Sequence, residues 1–176
     1  MVRLFQYFYA LECRLFQGVN AHFEKKYLNL FFKQITKLGG TTFTIISALV
    51  LIIFSSSETQ LTALSSALAL TLSHLPVQLV KKLFPRKRPY LIIEKTNIPS
   101  NPLQDHSFPS GHTTAIFSLI VPFVIFLPLL AYILVPLALC VGISRIYLGL
   151  HYPSDVLAGM MIGSFFGCLC FYLLSI

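Results

Sequence analysis

Apolar runs approaching the ~20 residues that cross a bilayer's hydrocarbon core recur from Thr41 to the C-terminus of this chain. That recurrence constrains the fold more than any other feature. A cleaved leader accounts for only one such run, at the N-terminus. With 56% hydrophobic and 11% charged residues and a mean hydropathy of +0.77, the 176 residues cannot give a soluble domain a wetted surface. The expected fold is an all-α, polytopic membrane helix bundle. Five spans are predicted, at about Thr41 to Phe54, Leu61 to Val80, Gly111 to Leu127, Leu129 to Tyr147 and Asp155 to Leu174. No Gly/Ser-rich or Pro-rich linker divides the chain, so residues 1–176 read as a single domain.

Within that domain, residues 1–40 read as interfacial N-terminal helices and 41–176 as the transmembrane core. Arg3 to Gly18 is apolar and aromatic but carries Glu12 and Arg14 at its centre, a costly pair for a span facing lipid. Phe23 to Leu38 sets Leu28, Phe31, Phe32, Ile35 and Leu38 at helical spacing, with Lys25, Lys26, Lys33 and Lys37 among the polar positions. This is the pattern of an amphipathic helix in the headgroup layer, ended by Gly39 and Gly40. In the last span Gly159, Gly163 and Gly167 recur every fourth residue, marking a face for close helix approach, and Asp155 extends that face by one turn.

The formal charge of +7 does not imply nucleic acid. The basic residues cluster at Arg3 to Lys37 and Lys81 to Lys95, without interleaved stacking aromatics, as residues that flank spans and meet anionic headgroups do. Cys13, Cys140, Cys168 and Cys170 lie mostly in apolar runs and read as small buried hydrophobes.

Five crossings bring the Lys81 to Phe108 segment, the start of the third span, the end of the fourth and the start of the fifth to one membrane surface. Polar chemistry therefore concentrates on one side. From Ser107 onward the only charged side chains are Arg145 and Asp155, and the only histidines are His112 and His151. Ionisable groups kept at span ends facing a bundle are functional candidates.

Three runs carry these candidates. In Lys81-Lys-Leu-Phe-Pro-Arg-Lys-Arg88-Pro89, two prolines force the cations onto a helix end and a constrained loop, and ammonium and guanidinium groups suit phosphate oxygens. In Ser107-Phe-Pro109-Ser110-Gly111-His112, a helix start offers free amides to an anion, with His112 in the first turn, and the run by itself fits a plain helix cap with a surface histidine equally well. In Ser144-Arg145-Ile-Tyr-Leu-Gly-Leu-His151-Tyr-Pro-Ser-Asp155, a helical turn would bring the carboxylate to the imidazole, to orient it and to stabilise its cation. That pair is the orienting half of a triad in which imidazole itself attacks phosphorus. Asp105 and His106 are placed where they could touch a substrate but read first as loop residues at headgroup level, His74 as a helix–helix hydrogen-bonding residue and His22 as an interfacial surface residue.

The three runs resemble the signature of the type 2 phosphatidic acid phosphatase (PAP2) superfamily, K-x6-R-P, P-S-G-H and S-R-x5-H-x3-D, over about Gly39 to Leu174. The resemblance implies that Lys81, Arg88 and Arg145 hold the phosphate and that Ser110 and Gly111 line its pocket. It further implies that His151 forms a phosphohistidine, His112 protonates the leaving oxygen and Asp155 positions His151. A metal site needs clustered carboxylates, and of six acidic residues in the chain only Asp155 lies in a motif, so neither metal nor other cofactor is expected. The expected partners are a membrane lipid substrate and the bilayer, with no nucleic acid and no obligate protein partner.

Counting cations would put the site on the cytoplasmic face. Bacterial proteins that the chain resembles carry it on the outer face of the cell membrane, which is the expectation adopted, with the sixth, N-terminal span of such proteins missing or replaced by Arg3 to Gly18. Undecaprenyl pyrophosphate is the first candidate substrate, ahead of phosphatidylglycerophosphate and phosphatidic acid. A membrane transporter or scaffold is the non-enzymatic rival.

Overall fold

The computed structural model describes residues 2–175, all of whose regular structure is helical. Seven α-helices follow in order: α1 (Val2–Asn20), α2 (Lys26–Ile35), α3 (Thr41–Phe54), α4 (Ser57–Leu83), α5 (Gly111–Phe126), α6 (Ala131–Tyr147) and α7 (Pro153–Leu174). A 3-10 turn at Thr36–Gly39 joins α2 to α3, and shorter ones occupy Pro89–Leu91 and Pro128–Leu130.

All five predicted spans are helices. By length and apolarity three of them can cross a membrane alone: Thr59–Leu83, Pro128–Tyr147 and Pro153–Leu174. A fourth is reached if Lys26–Gly39 and Thr41–Phe54, bent by 54°, act as one broken span. This revises the expected five. The exception is α5, whose 16 residues fall short of the ~20 of a straight crossing. Its position explains its length: α5 packs against α3, α4, α6 and α7, and nine of its residues are buried. A helix sheathed by protein along its length does not need to match the lipid thickness.

Between helices already surrounded by lipid, hydrophobic transfer supplies little drive, and association rests on close van der Waals contact. The glycine stripe of α7 provides it. A Cβ at Gly163 would lie 2.5 Å from the Thr114 carbonyl oxygen, and one at Gly159 2.6 Å from that of Ser110, so only glycine lets α7 lie against the α5 backbone. Apolar clusters fill the remaining interfaces, with Ile116, Phe117 and Ile120 against Ala138 and Val141, and Ala115 and Leu119 against Ala48 and Leu70. Across α4 and α5, the Ser118 hydroxyl donates to that of Ser73 at 2.9 Å.

The N-terminal helices are tied to the loops that carry the candidate site. Phe23 and Phe32 stack on Tyr147. Asn20 Nδ2 donates to the Tyr147 carbonyl at 2.8 Å and to that of Asn97 at 2.9 Å, and the Tyr147 hydroxyl donates to the His22 carbonyl at 2.8 Å.

Candidate active site

Helix ends and two connections assemble the site. Lys81 ends α4, Arg88 lies in the irregular segment after it, His112 occupies the first turn of α5, Arg145 the last turn of α6, and His151 the short link to α7. A cavity of about 240 Å³ is lined by Lys81, Arg88, Gly111, His112 and His151, together with Asp105. Arg145 lines an adjoining cavity that shares His112 with the first.

His151 is buried, 1% exposed. Arg88 Nη1 lies 3.2 Å from its Nε2. A guanidinium can only donate, so Nε2 is the acceptor and the proton sits on Nδ1, the nitrogen facing Asp155. Nδ1 lies 3.6 Å from Asp155 Oδ2, just beyond hydrogen-bond length. The pairing is not made by a helical turn, because α7 begins only at Pro153. Instead Asp155 folds back as the N3 residue of a capping box and accepts the Tyr152 amide at 2.8 Å.

Asp155 is fully buried and saturated with donors. Ser107 Oγ donates to Oδ2, and Arg86 Nη1 donates to Oδ1 at 2.8 Å. Arg86 in turn pairs with Glu12 of α1, donates to Ser154 Oγ at 2.7 Å, and stacks 3.9 Å from the centre of the Tyr152 ring. Glu12, read from the sequence as a burden on its helix, thus has a cation to neutralise it.

The phosphate-binding candidates are held with equal definition. Arg88, 1% exposed, donates to the carbonyls of Leu150 and Asp105 at 2.7 Å each and to Asp105 Oδ1 at 2.6 Å. Lys81 pairs with the other oxygen of Asp105. Asp105 is therefore no bystander of the loop, as its sequence position suggested, but a half-exposed anion shared by two cations. Burial favours its neutral acid, yet Lys81 and Arg88 outweigh that and hold it at about 2. Arg145, 3% exposed, donates through Nη1 to Thr36 Oγ1 at 2.7 Å. Its Nε and Nη2 are buried without a partner, which is costly unless an anion comes to them.

Ser110 is the N-cap of α5, but its hydroxyl meets Thr113 Oγ1 at 2.9 Å rather than capping the helix. The α5 ladder begins with Thr114 N to Ser110 O at 3.0 Å, leaving the amides of Gly111, His112 and Thr113 ahead of it as anion donors. A Cβ at Gly111 would meet nothing within 4 Å, so this glycine borders open space. His74 differs from expectation: its Nδ1 meets the Leu70 carbonyl of its own helix at 2.8 Å, and the residue lines the first cavity.

Arg86, Glu12, Ser107, Asp105 and Thr36 contribute without a role assigned to them from the sequence. Glu12 and Asp105 left a signal there, the first as an acid in an apolar run and the second as an acid just before the Ser107 to His112 run.

The electrostatics of His151 carry a pH consequence. Burial lowers its affinity for a proton, Arg145 and Arg88 lower it further, and Asp155 opposes them, leaving a value of about 4 against an ordinary 6.5. A depressed histidine favours its neutral form in the folded state. Its contribution to stability is complete above about 6.5 and is lost as pH falls toward about 4. In the folded protein the neutral imidazole, the form with a lone pair for attack, should persist down to about 4. Corrected for the substrate's own ionisation, the acid limb of kcat/KM is expected well below 6.5; a limb at or above that value would contradict the assignment.

With this geometry in hand, comparison with known proteins is direct. A profile of the PAP2 superfamily matches residues 62–175, and the chain belongs to that superfamily. A lipid A 1-phosphatase of Rhizobium etli is 33% identical over 101 residues, 55% of this chain and 44% of the relative. An undecaprenyl-diphosphatase of Sulfolobus acidocaldarius is 35% identical over 78 residues, 44% of this chain and 38% of the relative. The chain thus matches less than half the length of either curated relative. Among solved structures, that of Aquifex aeolicus LpxE superposes with a TM-score of 0.80 at 29% identity, covering 90% of this chain and 93% of the other.

Proposed function

We propose that this chain is a metal-independent membrane lipid phosphatase that releases inorganic phosphate through a phosphohistidine at His151, with undecaprenyl diphosphate as its substrate. The observation that carries the reading is the placement of His151: its Nε2 lies 3.2 Å from Arg88 Nη1 at the cavity, and its Nδ1 is turned to the buried Asp155 at 3.6 Å.

Phosphate oxygens take the donors of Lys81, Arg88 and Arg145 and the free amides that start α5, with Ser110 and Gly111 bordering them. Asp105 must yield Lys81 and Arg88 to the incoming anion. Nε2 then attacks phosphorus as the bond to the leaving oxygen breaks, and His112 supplies that oxygen's proton. Water subsequently attacks the phosphohistidine, His112 takes a proton from it, the N–P bond breaks, and phosphate departs. Fixed cations facing the transferring group supply the stabilisation that bound metal gives other phosphatases. The carboxylates nearest the site support this division of labour: Asp155 stays committed to Arg86, and Asp105, once it has yielded its cations, is a single carboxylate where bound metal takes several oxygen ligands.

The lipid tail has a route compatible with this chemistry. Thr41 of α3 and His74, Val77 and Gln78 of α4 line the same cavity, so a headgroup can enter between these helices while its chain stays in lipid. We place the site on the outer face of the cell membrane, as the family resemblance implies. Labelling of single cysteines near Lys87 by impermeant reagent should succeed from outside.

The decisive assay is phosphate release from undecaprenyl diphosphate, phosphatidylglycerophosphate and phosphatidic acid by detergent-purified protein in excess chelator. Turnover is expected in chelator, highest on the diphosphate. Loss of all turnover in chelator would overturn the metal-free mechanism, and a preference for monoesters would overturn the substrate.

A further inference from the structure

The basic residues of α2 and the turn after it have no part in the scheme so far. Lys33, Gln34 and Lys37 line a second cavity of about 460 Å³, whose inner wall is His112 and Arg145. This cavity meets the first at His112 and Leu103. Lys37 Nζ donates to Gln34 Oε1 at 2.7 Å, and Lys33 Nζ lies 5.7 Å from the centre of the Phe23 ring. Among the described residues, neither ammonium has a carboxylate within ion-pair distance. The wall they face includes the buried, unpartnered Nε and Nη2 of Arg145.

The direction of the reaction gives this cavity a meaning. The oxygen that His112 protonates is the leaving oxygen, so the leaving group lies on the His112 side of the transferring phosphorus. His112 Nε2 would stand 3.8 Å from a Cβ at Gly40, and the Gly40 amide bonds to the Lys37 carbonyl at 3.0 Å. His112 Nε2 thus lies beside the backbone turn that follows Lys37, where the two cavities meet. An alcohol leaving group has no use for two ammonium groups there. A leaving phosphate monoester does, because its non-bridging oxygens carry charge that lysines neutralise as point charges.

We propose that Lys33 and Lys37, with Gln34, form a subsite for the second phosphate of a lipid diphosphate, on the leaving-group side of His112. This rests on the phosphatase reading above and names the residues that would select diphosphates. In the step they assist, the His151 Nε2–phosphorus bond forms at the terminal phosphorus as its bond to the bridging oxygen breaks. The electron pair stays on that oxygen, which receives the His112 proton and leaves as the lipid monophosphate. Water then releases inorganic phosphate from His151.

Lysines at this level could instead attract anionic membrane surface, which would act alike on every lipid substrate. The test therefore compares two substrates in neutral-detergent micelles, a polyprenyl diphosphate and phosphatidic acid. In the Lys33→Ala/Lys37→Ala double variant, kcat/KM for the diphosphate should fall about 10-fold or more, while that for phosphatidic acid should change less than about 2-fold. Lys33→Gln/Lys37→Gln should show the same split, and Lys26→Ala, off the cavity, should show neither loss. Equal losses on both substrates, no loss on either, or a parent protein active on the monoester alone would overturn the subsite and leave the phosphatase reading standing. A parent protein inactive on every lipid phosphate would overturn both.

Discussion

Replacing His151 with alanine is expected to lower phosphate release by about 10⁴-fold or more, the scale on which removal of an enzyme's nucleophile acts. No neighbouring group can take over. Of the other two histidines lining the cavity, His112 stands at the start of α5 and is assigned to the leaving group, and His74 turns its Nδ1 to the Leu70 carbonyl, while Ser107 and Ser110 spend their hydroxyls on Asp155 and Thr113. The fold should survive the change, since Arg88 Nη1 keeps the Leu150 carbonyl at 2.7 Å when it loses Nε2. Turnover of a lipid diphosphate beside a thermal melt in the same detergent separates lost chemistry from lost folding. Activity within about 10-fold of the parent would mean that another group attacks.

Asp155→Asn is expected to lower kcat by about 10³-fold with little change in KM. The carboxylate holds four groups together: the Tyr152 amide, Ser107 Oγ, Arg86 Nη1 and, at 3.6 Å, His151 Nδ1. An asparagine of the same shape can accept from some of these, but its NH2 must then oppose either Arg86 or the proton on Nδ1. It also brings no charge to balance the imidazolium character that His151 acquires as Nε2 bonds to phosphorus. The proposed phosphate ligands Lys81, Arg88 and Arg145 are left in place, which is why the loss should fall on kcat. Steady-state kinetics on the diphosphate check it, and a rise in KM with kcat preserved would assign Asp155 to binding instead.

Much of this arrangement could be read from residue order, and the reasons it could be read are physical. Glycine at every fourth position of α7 has one use in a helix among helices, and the structure lays that stripe against Ser110, Thr114 and Val121 of α5. The signature residues cluster because each lies at a helix end or in a connection on the same side of the bundle. What escaped was contact between distant segments. The bonds of Arg86 to Glu12 and Asp155 span 74 and 69 residues, and no local period encodes them. Asp105 sits in an aperiodic loop whose path only the folded chain defines. The His151–Asp155 spacing suggested a helical turn, whereas the same proximity is made by a carboxylate folding back over the α7 N-terminus. For α5, the rule that a span needs about 20 residues assumes contact with lipid, which its neighbours remove.

The most direct test of the proposed phosphohistidine is to trap it. A lipid diphosphate labelled in its terminal phosphate, mixed rapidly with purified protein and quenched in alkali, should leave label on the peptide that contains His151. The amount should approach one per active chain when the second step is slow, and none should appear in His151→Ala. Steady turnover with no label on that peptide at any quench time, or label on another residue, would contradict nucleophilic attack by His151.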